Sequence, residues 1–490
     1  MLTRRTFVAG AAGLASAAGL LGGSTCSSGW PTGTNFCIPD QPPTSPNVAP
    51  KTVPNFMFKE EMPVVRPLLS ELVKMPSELR ALTQRLAKGY EALVRNNVNN
   101  LTNPQGYLLD VWTHRAACRA GVHNTWGFLP WHRGFLYFHE RLLRSFVADD
   151  FRLPVWDWEN IPTIPSPYRE GEWIASPLKP RTPGATFRDI TDPNALEAWL
   201  ATPDDFRTFA GYQSATNDKA PQAASGPHAG VHGRAGGFMS DINWSVADPL
   251  FFAHHANIDR WWEVWRRRYE STFAQTPEYR DWMKQTFNFY DHVASPPGWY
   301  SVSVGQLIHE NLGYTYNDGS RPAPVLPEFL AVPAILIDGN RFTLRLNVTQ
   351  LLAAMQIQNL FALSFPNVRA RFQNVSLPVG FQAALNLADH PGYYNLWAIK
   401  VGDNSRAVKV GGFGIFSSYD RNMPDMNVFA GTLSLSFGTL VELLALLGPS
   451  ALFLDFQMVY AAEDPANRNS GLPPHAKPLR VRSLEIRFPA

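Results

Sequence analysis

Residues 123–143, HNTWGFLPWHRGFLYFHERLL, and residues 248–262, DPLFFAHHANIDRWW, decide how this chain reads. Apolar side chains recur at helical spacing in both, so each is expected to form a helix that turns one imidazole inward, His132 in the first and His255 in the second. Working outward, His114 and His123 precede the first helix. Gly121 and Gly127 argue against one unbroken helix there, so these two should reach inward from loops or helix ends. Upstream of the second helix, His228 and His232 stand four apart, which puts them one above the other on a helix face, close enough to share one ion. The result is two sets of three imidazoles, a pattern that points to two metal ions.

The donor type narrows the metal. Imidazole suits zinc, copper, iron and nickel. Di-iron bundles use Glu and Glu-x-x-His on facing helices, and no such carboxylate pattern surrounds these histidines. A zinc hydrolase of the His-Glu-x-x-His type would need that string, which is absent. Copper in a three-plus-three arrangement fits best.

Those two stretches resemble the copper-binding signatures of the tyrosinase and polyphenol oxidase family. Downstream, DWMKQTFNFYD and LGYTY are similar to the Asp-Trp-Leu region and the Tyr-x-Tyr turn of its plant-type members. The resemblance implies two copper ions, the first on His114, His123 and His132, the second on His228, His232 and His255, with His254 a neighbour that does not ligate. It also implies a small phenolic substrate and O2: oxidation of ortho-diphenols to ortho-quinones, with monophenol hydroxylation or ortho-aminophenol oxidation as alternatives. Family members with strong monophenol activity often carry Asn after the fourth ligand, together with a Glu that activates water. Here that position is Ala229, the residue after the next ligand is Gly233, and the lead-in to His228 offers no Glu. The expectation therefore leans toward diphenols or aminophenols, with His254 a weak base. In the plant enzymes a cysteine four residues after the first ligand forms a thioether to the second. Cys118 holds that place, but the interval to His123 is shorter, so a crosslink to His123 and a buried free thiol both stay open. An oxygen carrier of haemocyanin type is the reading from another class, and a permanently plugged, inactive chain is a third.

Ligating imidazoles need partners for their other nitrogen and walls that fix their orientation. Asp259, one turn beyond His255, is a candidate partner, or else belongs to a helix-surface salt bridge. Phe251, one turn before His255, is a candidate wall. His139 reads as packing or support, and His292, His309, His390 and His475 as ordinary residues.

The formal charge of +2 over 490 residues leaves no basic stripe for nucleic acid. Arg4 and Arg5, followed by an apolar run to about Leu21, resemble a twin-arginine export signal over residues 1–25, which implies a periplasmic or extracellular destination. That run is short for a membrane span, so no membrane anchor is expected. An oxidising compartment favours a disulfide between Cys26 and Cys37. A Pro-rich strap follows from Pro31 to about Pro54. The fold class expected is α+β and multidomain: a mainly α-helical catalytic domain holding the dicopper centre over residues 26–321, then a β-sandwich-like C-terminal domain over residues 322–490. The second rests on short alternating runs such as AILIDGNRFTLRLNV and LRVRSLEIRF, and plant-type enzymes carry such a domain as a cover over the active-site mouth.

Overall fold

The computed structural model describes residues 62–98, 105–169, 181–188, 226–295 and 297–317, with shorter stretches elsewhere, among them strands between 24 and 53 and between 329 and 489. The expected export signal and the domain boundary near Arg321 lie outside the described residues.

Short strands come first: β1 (Ser24–Trp30), β2 (Thr34–Pro39), β3 (Thr52–Val53) and β4 (Val64–Val65). Strand β2, within the Pro-rich strap, pairs antiparallel with β1 before it, with Cys26 in register opposite Cys37. The helical unit begins with α1 (Leu69–Leu72) and α2 (Pro76–Val98). Pro76 sits at the first position of α2, where its missing N–H costs nothing. Helix α3 (Tyr107–Arg119) carries His114, and Gly121, at φ +82°, turns the chain out of it. His114 is therefore within a helix and not on the irregular stretch expected, because the glycine punctuation begins only after the helix has closed. His123 does sit outside a regular helix, on a single 3-10 turn.

Helix α4 (Phe128–Phe146) is buried at every residue from Phe128 to Glu140, which suits a helix apolar nearly all round. Helices α5 (Pro227–Ala235) and α6 (Leu250–Phe273) hold the second set of histidines. The Asp248 carboxylate accepts from the Leu250 N–H at 2.9 Å, placing negative charge at the positive end of α6. After α6 come α7 (Pro277–Lys284), β5 (Thr286–Asp291), β6 (Gly298–Ser303), α8 (Val304–His309) and β7 (Tyr314–Thr315). Strands β5 and β6 form a hairpin, β3 runs parallel to β6, and β4 runs parallel to β7. Among the described residues no helix is long and apolar enough to cross a membrane.

A buried polar knot closes the helical unit. Asp259 of α6 accepts from Arg133 Nε at 2.6 Å and from the hydroxyls of Tyr314 at 2.9 Å and Tyr316 at 2.6 Å. Arg66 stacks over the Tyr314 ring and binds Glu140 at 3.0 Å. Asp259 is thus neither the imidazole partner expected nor part of a helix-surface pair; two arginines and two tyrosines saturate it in the interior. Its partners come from residues far away in sequence, which is why local spacing misassigned it.

Beyond residue 328, strands β8 (Phe329–Pro333), β9 (Ile335–Asp338), β10 (Arg341–Arg345), β11 (Ser376–Ala384), β12 (Gly392–Lys400), β13 (Asp403–Ile415), β14 (Val428–Ser436), β15 (Phe453–Tyr460) and β16 (Arg480–Pro489) form two sheets. One has the order β13-β12-β15-β10-β9 and the other β14-β11-β16-β8. Strands β12 and β13 run against α5.

Gly134 marks a close approach. A Cβ there would lie 2.4 Å from the Phe289 ring of β5. Gly to Ala in a helix interior normally stabilises, but here the ring would have to move, at about 1–3 kcal/mol. Gly134→Ala is expected to lower the thermal unfolding midpoint, and a rise would show that β5 does not press on α4.

Candidate metal centre

Six imidazoles meet in the interior between α3, α4, α5 and α6, each at most 6% exposed. His114, His123 and His132 have ring centroids 5.0–5.7 Å apart, and His228, His232 and His255 have theirs 4.8–5.4 Å apart. The two triads touch where His132 stacks on His255 at 4.3 Å. Helical spacing explains the local placements: His228 and His232 lie one turn apart on α5, and His132 and His255 occupy facing sides of α4 and α6.

The backbone fixes three of the rings at Nδ1. His132 Nδ1 lies 2.8 Å from the Phe128 carbonyl, His228 Nδ1 2.7 Å from that of Ala224, and His232 Nδ1 2.8 Å from that of Met239. A carbonyl only accepts, so each Nδ1 carries the proton and each Nε2 turns a lone pair into the cavity. The Ile242 backbone also hydrogen-bonds the His114 ring. His132 Nε2 is buried with no hydrogen-bond partner. Nitrogens that share an ion at bonds of about 2.0–2.1 Å in tetrahedral geometry stand about 3.3 Å apart; His232 Nε2 and His255 Nε2 are 3.1 Å apart. An inward lone pair with no proton donor and two ring nitrogens at that separation both fit bound metal.

Burial is the main force holding these rings neutral. It pushes the His132, His123, His114, His232 and His255 pKa values well below the usual imidazole range, with neighbouring imidazoles adding to the effect, and that of His228 down to about 4. Neutral imidazole is the form that ligates.

His254 is different. The Trp158 indole N–H donates to His254 Nδ1 at 3.0 Å. An indole only donates, so Nδ1 is the acceptor and Nε2 carries the proton, opposite to the rings around it. That leaves the ring neither a free lone pair for metal nor ready basicity, although its donor atoms fall within the same cluster as His228, His232 and His255. Phe251 stacks on His255 at 4.1 Å. Phe128, which spacing did not single out, packs against His132 and His228, both at 4.8 Å. Ala229 and Gly233 follow His228 and His232 on α5 and are buried. Cys118 is buried and in no disulfide, and its Sγ lies 3.6 Å from His114 Nδ1, one helical turn away on α3. His123 belongs to the same cluster. Burial pushes the thiol pKa up. His292 is buried, its Nε2 4.0 Å from Asp110, and His139 is bonded to that same carboxylate.

Residues 95–186 and 175–268 match the common central domain of tyrosinase. The chain is 31% identical over 245 residues to a chloroplastic polyphenol oxidase of Vitis vinifera, covering 42% of this chain and 39% of that protein. It is 26% identical over 339 residues to polyphenol oxidase II of Ipomoea batatas, covering 59% and 54%. The chain therefore aligns with about half or less of the length of these relatives. In fold it is similar to a latent aurone synthase (polyphenol oxidase), with a TM-score of 0.56 at 16% identity over 91% of this chain and 93% of the other. A tyrosinase central domain binds two copper ions, and the histidines that this chain gathers suit that pair.

Protons binding the unfolded chain set the expected pH response of the metal-free protein. An unfolded imidazole titrates near 6.5, whereas folded His228 does so near 4. Between these values the unfolded state binds more protons, so stability is complete above about 6.5 and falls as pH drops through the window. Chemical denaturation of the apoprotein from pH 7.5 to 4.5 should show this steady loss; a flat profile would mean that the rings are solvated.

Proposed function

We propose that this chain, which carries the tyrosinase central domain, is a type-3 copper oxidase that uses O2 to oxidise ortho-diphenols to ortho-quinones, with ortho-aminophenols as a related class. The observation that carries the reading is the pair of touching imidazole triads, three of whose rings are oriented by backbone carbonyls. His114, His123 and His132 would hold one copper, and His228, His232 and His255 the other. Bound there, the metal pair supplies the exchange of electrons with O2, so that each O2 reduced to water oxidises two diphenols.

The protein's own part is orientation and exclusion. Carbonyls of Phe128, Ala224 and Met239 set three rings, while Phe128 and Phe251 wall the cavity against water. Hydroxylation of a monophenol requires a base to take the phenol proton. Neither described cluster of candidate donors contains a carboxylate, the His254 Nδ1 lone pair is already engaged by Trp158, and Ala229 and Gly233 bring no polar side chain. These absences favour diphenol oxidation. The contact of β12 and β13 with α5 supports the reading of residues 322–490 as a sandwich-like domain that covers the site. Cross-strand register supports a disulfide between Cys26 and Cys37, because directly opposed antiparallel residues have Cα atoms about 4.5–5.5 Å apart, within disulfide range. Export by a twin-arginine route rests on Arg4 and Arg5, and replacing both with Lys should retain the protein inside the cell.

Purified protein should contain two coppers per chain and oxidise catechol or 2-aminophenol faster than tyrosine, with rates rising after limited proteolysis. His232→Ala should lower the copper content and abolish turnover. Tyrosine consumed as fast as catechol without a lag would replace this preference with a tyrosinase reading. Reversible oxygenation without turnover would make the chain a carrier.

A further inference from the structure

Outside the imidazole cluster, a buried group of titratable side chains stands unused by the reading above. Asp110 lies on α3 one turn before His114, on the same face. His139 lies on α4 two turns after His132, again on one face. Their side chains meet, with His139 Nδ1–H donating to Asp110 Oδ2 at 2.8 Å. The other ring nitrogen, Nε2, is 3.2 Å from the Tyr90 hydroxyl of α2, which keeps its proton because burial pushes its pKa well up. The ring lies flat on Phe252 of α6, with centroids 3.3 Å apart and planes 3° apart. Phe252 is three residues before His255. His292 Nε2 stands 4.0 Å from the other carboxylate oxygen. All five side chains are at least nine-tenths buried.

This arrangement does something that the apolar contacts between the helices cannot. A helix packed only by greasy side chains tolerates small rotations about its axis, whereas a short bond to a carboxylate fixes the rotation of both helices that it joins. The two helices joined are those that carry His114 and His132, ligands of the same triad. We propose that Asp110 and His139 form a positioning pair that sets His114 against His132 and thereby governs the affinity of the first copper without touching it. The inference rests on the dicopper reading. The second triad, on α5 and α6, receives only the apolar contact with Phe252 and should be nearly indifferent to the pair.

The test is stepwise copper(I) loading of the apoprotein against a chromophoric copper(I) chelator, alongside thermal unfolding of the same apoproteins. Wild type should bind two ions. In Asp110→Leu, and in His139→Phe, which keeps a ring on Phe252, one ion should bind as in wild type and the other at least tenfold more weakly. Asp110→Asn keeps an acceptor for the His139 N–H and should recover most of the lost affinity. In a His232→Ala background, where the first site is read alone, Asp110→Leu should weaken the remaining ion by the same factor. Equal weakening at both sites that tracks a lowered unfolding midpoint, or no change at either, would overturn the inference while leaving the dicopper reading intact. A wild type that binds fewer than two ions would overturn both.

Discussion

Everything at the centre depends on a constraint of tautomers. A neutral imidazole has one N–H and one lone pair, and in the dry interior between four helices each must be used or left facing something that needs it. At His132, His228 and His232 the N–H is spent on a main-chain carbonyl of the ligand's own or an adjoining segment, and the lone pair therefore has only the cavity to face. At His254 the Trp158 indole reverses the assignment. His254 and the nearby His228 and His232 are thus given opposite tautomers by a residue from another part of the chain. Because these carbonyls belong to the main chain at the start of one helix and in two short 3-10 turns, the rings take their orientation from the backbone.

The frame that carries these rings is held by charge as much as by packing. Asp259, Arg133, Arg66, Glu140 and the two tyrosines of the Tyr314–Tyr316 turn form a connected set of ion pairs and hydrogen bonds. Breaking one member would leave charge stranded in a low-dielectric interior, so such a set is costly to interrupt even though its net gain over apolar packing is modest. Tryptophan fills the surrounding space, with Trp156, Trp158, Trp261, Trp262, Trp265 and Trp282 fully buried. Asp259 thereby ties the helix of His255 to the helix of His132 through Arg133.

Much of this was legible in the sequence because helical periodicity is local. The four-residue interval between His228 and His232, and the apolar stripes around His132 and His255, needed no tertiary information to be placed on helices α5, α4 and α6. Type and grouping singled out six histidines that the fold gathers, and spacing singled out Phe251, which stacks on His255. What spacing missed were partners brought together across long intervals. Asp259 was assigned to an imidazole or the surface because its arginine and tyrosine partners lie up to 126 residues away in one case and far downstream in the others. His292 looked ordinary for the same reason, its neighbour Asp110 being on a helix far upstream. The Trp158 bond to His254 spans 96 residues, and no pattern within either segment announces it. His114 was misplaced by punctuation: glycine signals that a helix ends, but not how many residues earlier it began.

The pairing of Arg66 with Tyr316 spans 250 residues of chain, and β4 lies beside β7 across nearly the same interval. Closing so long a loop adds only logarithmically to the entropy that must be overcome, yet contacts of such separation slow a fold's assembly. The histidine helices lie inside that loop. On the ribosome, then, the clasp is unavailable until residue 316 has emerged, and a chain interrupted before that point would present its gathered imidazoles on an unlatched bundle, open to whichever cation arrived first.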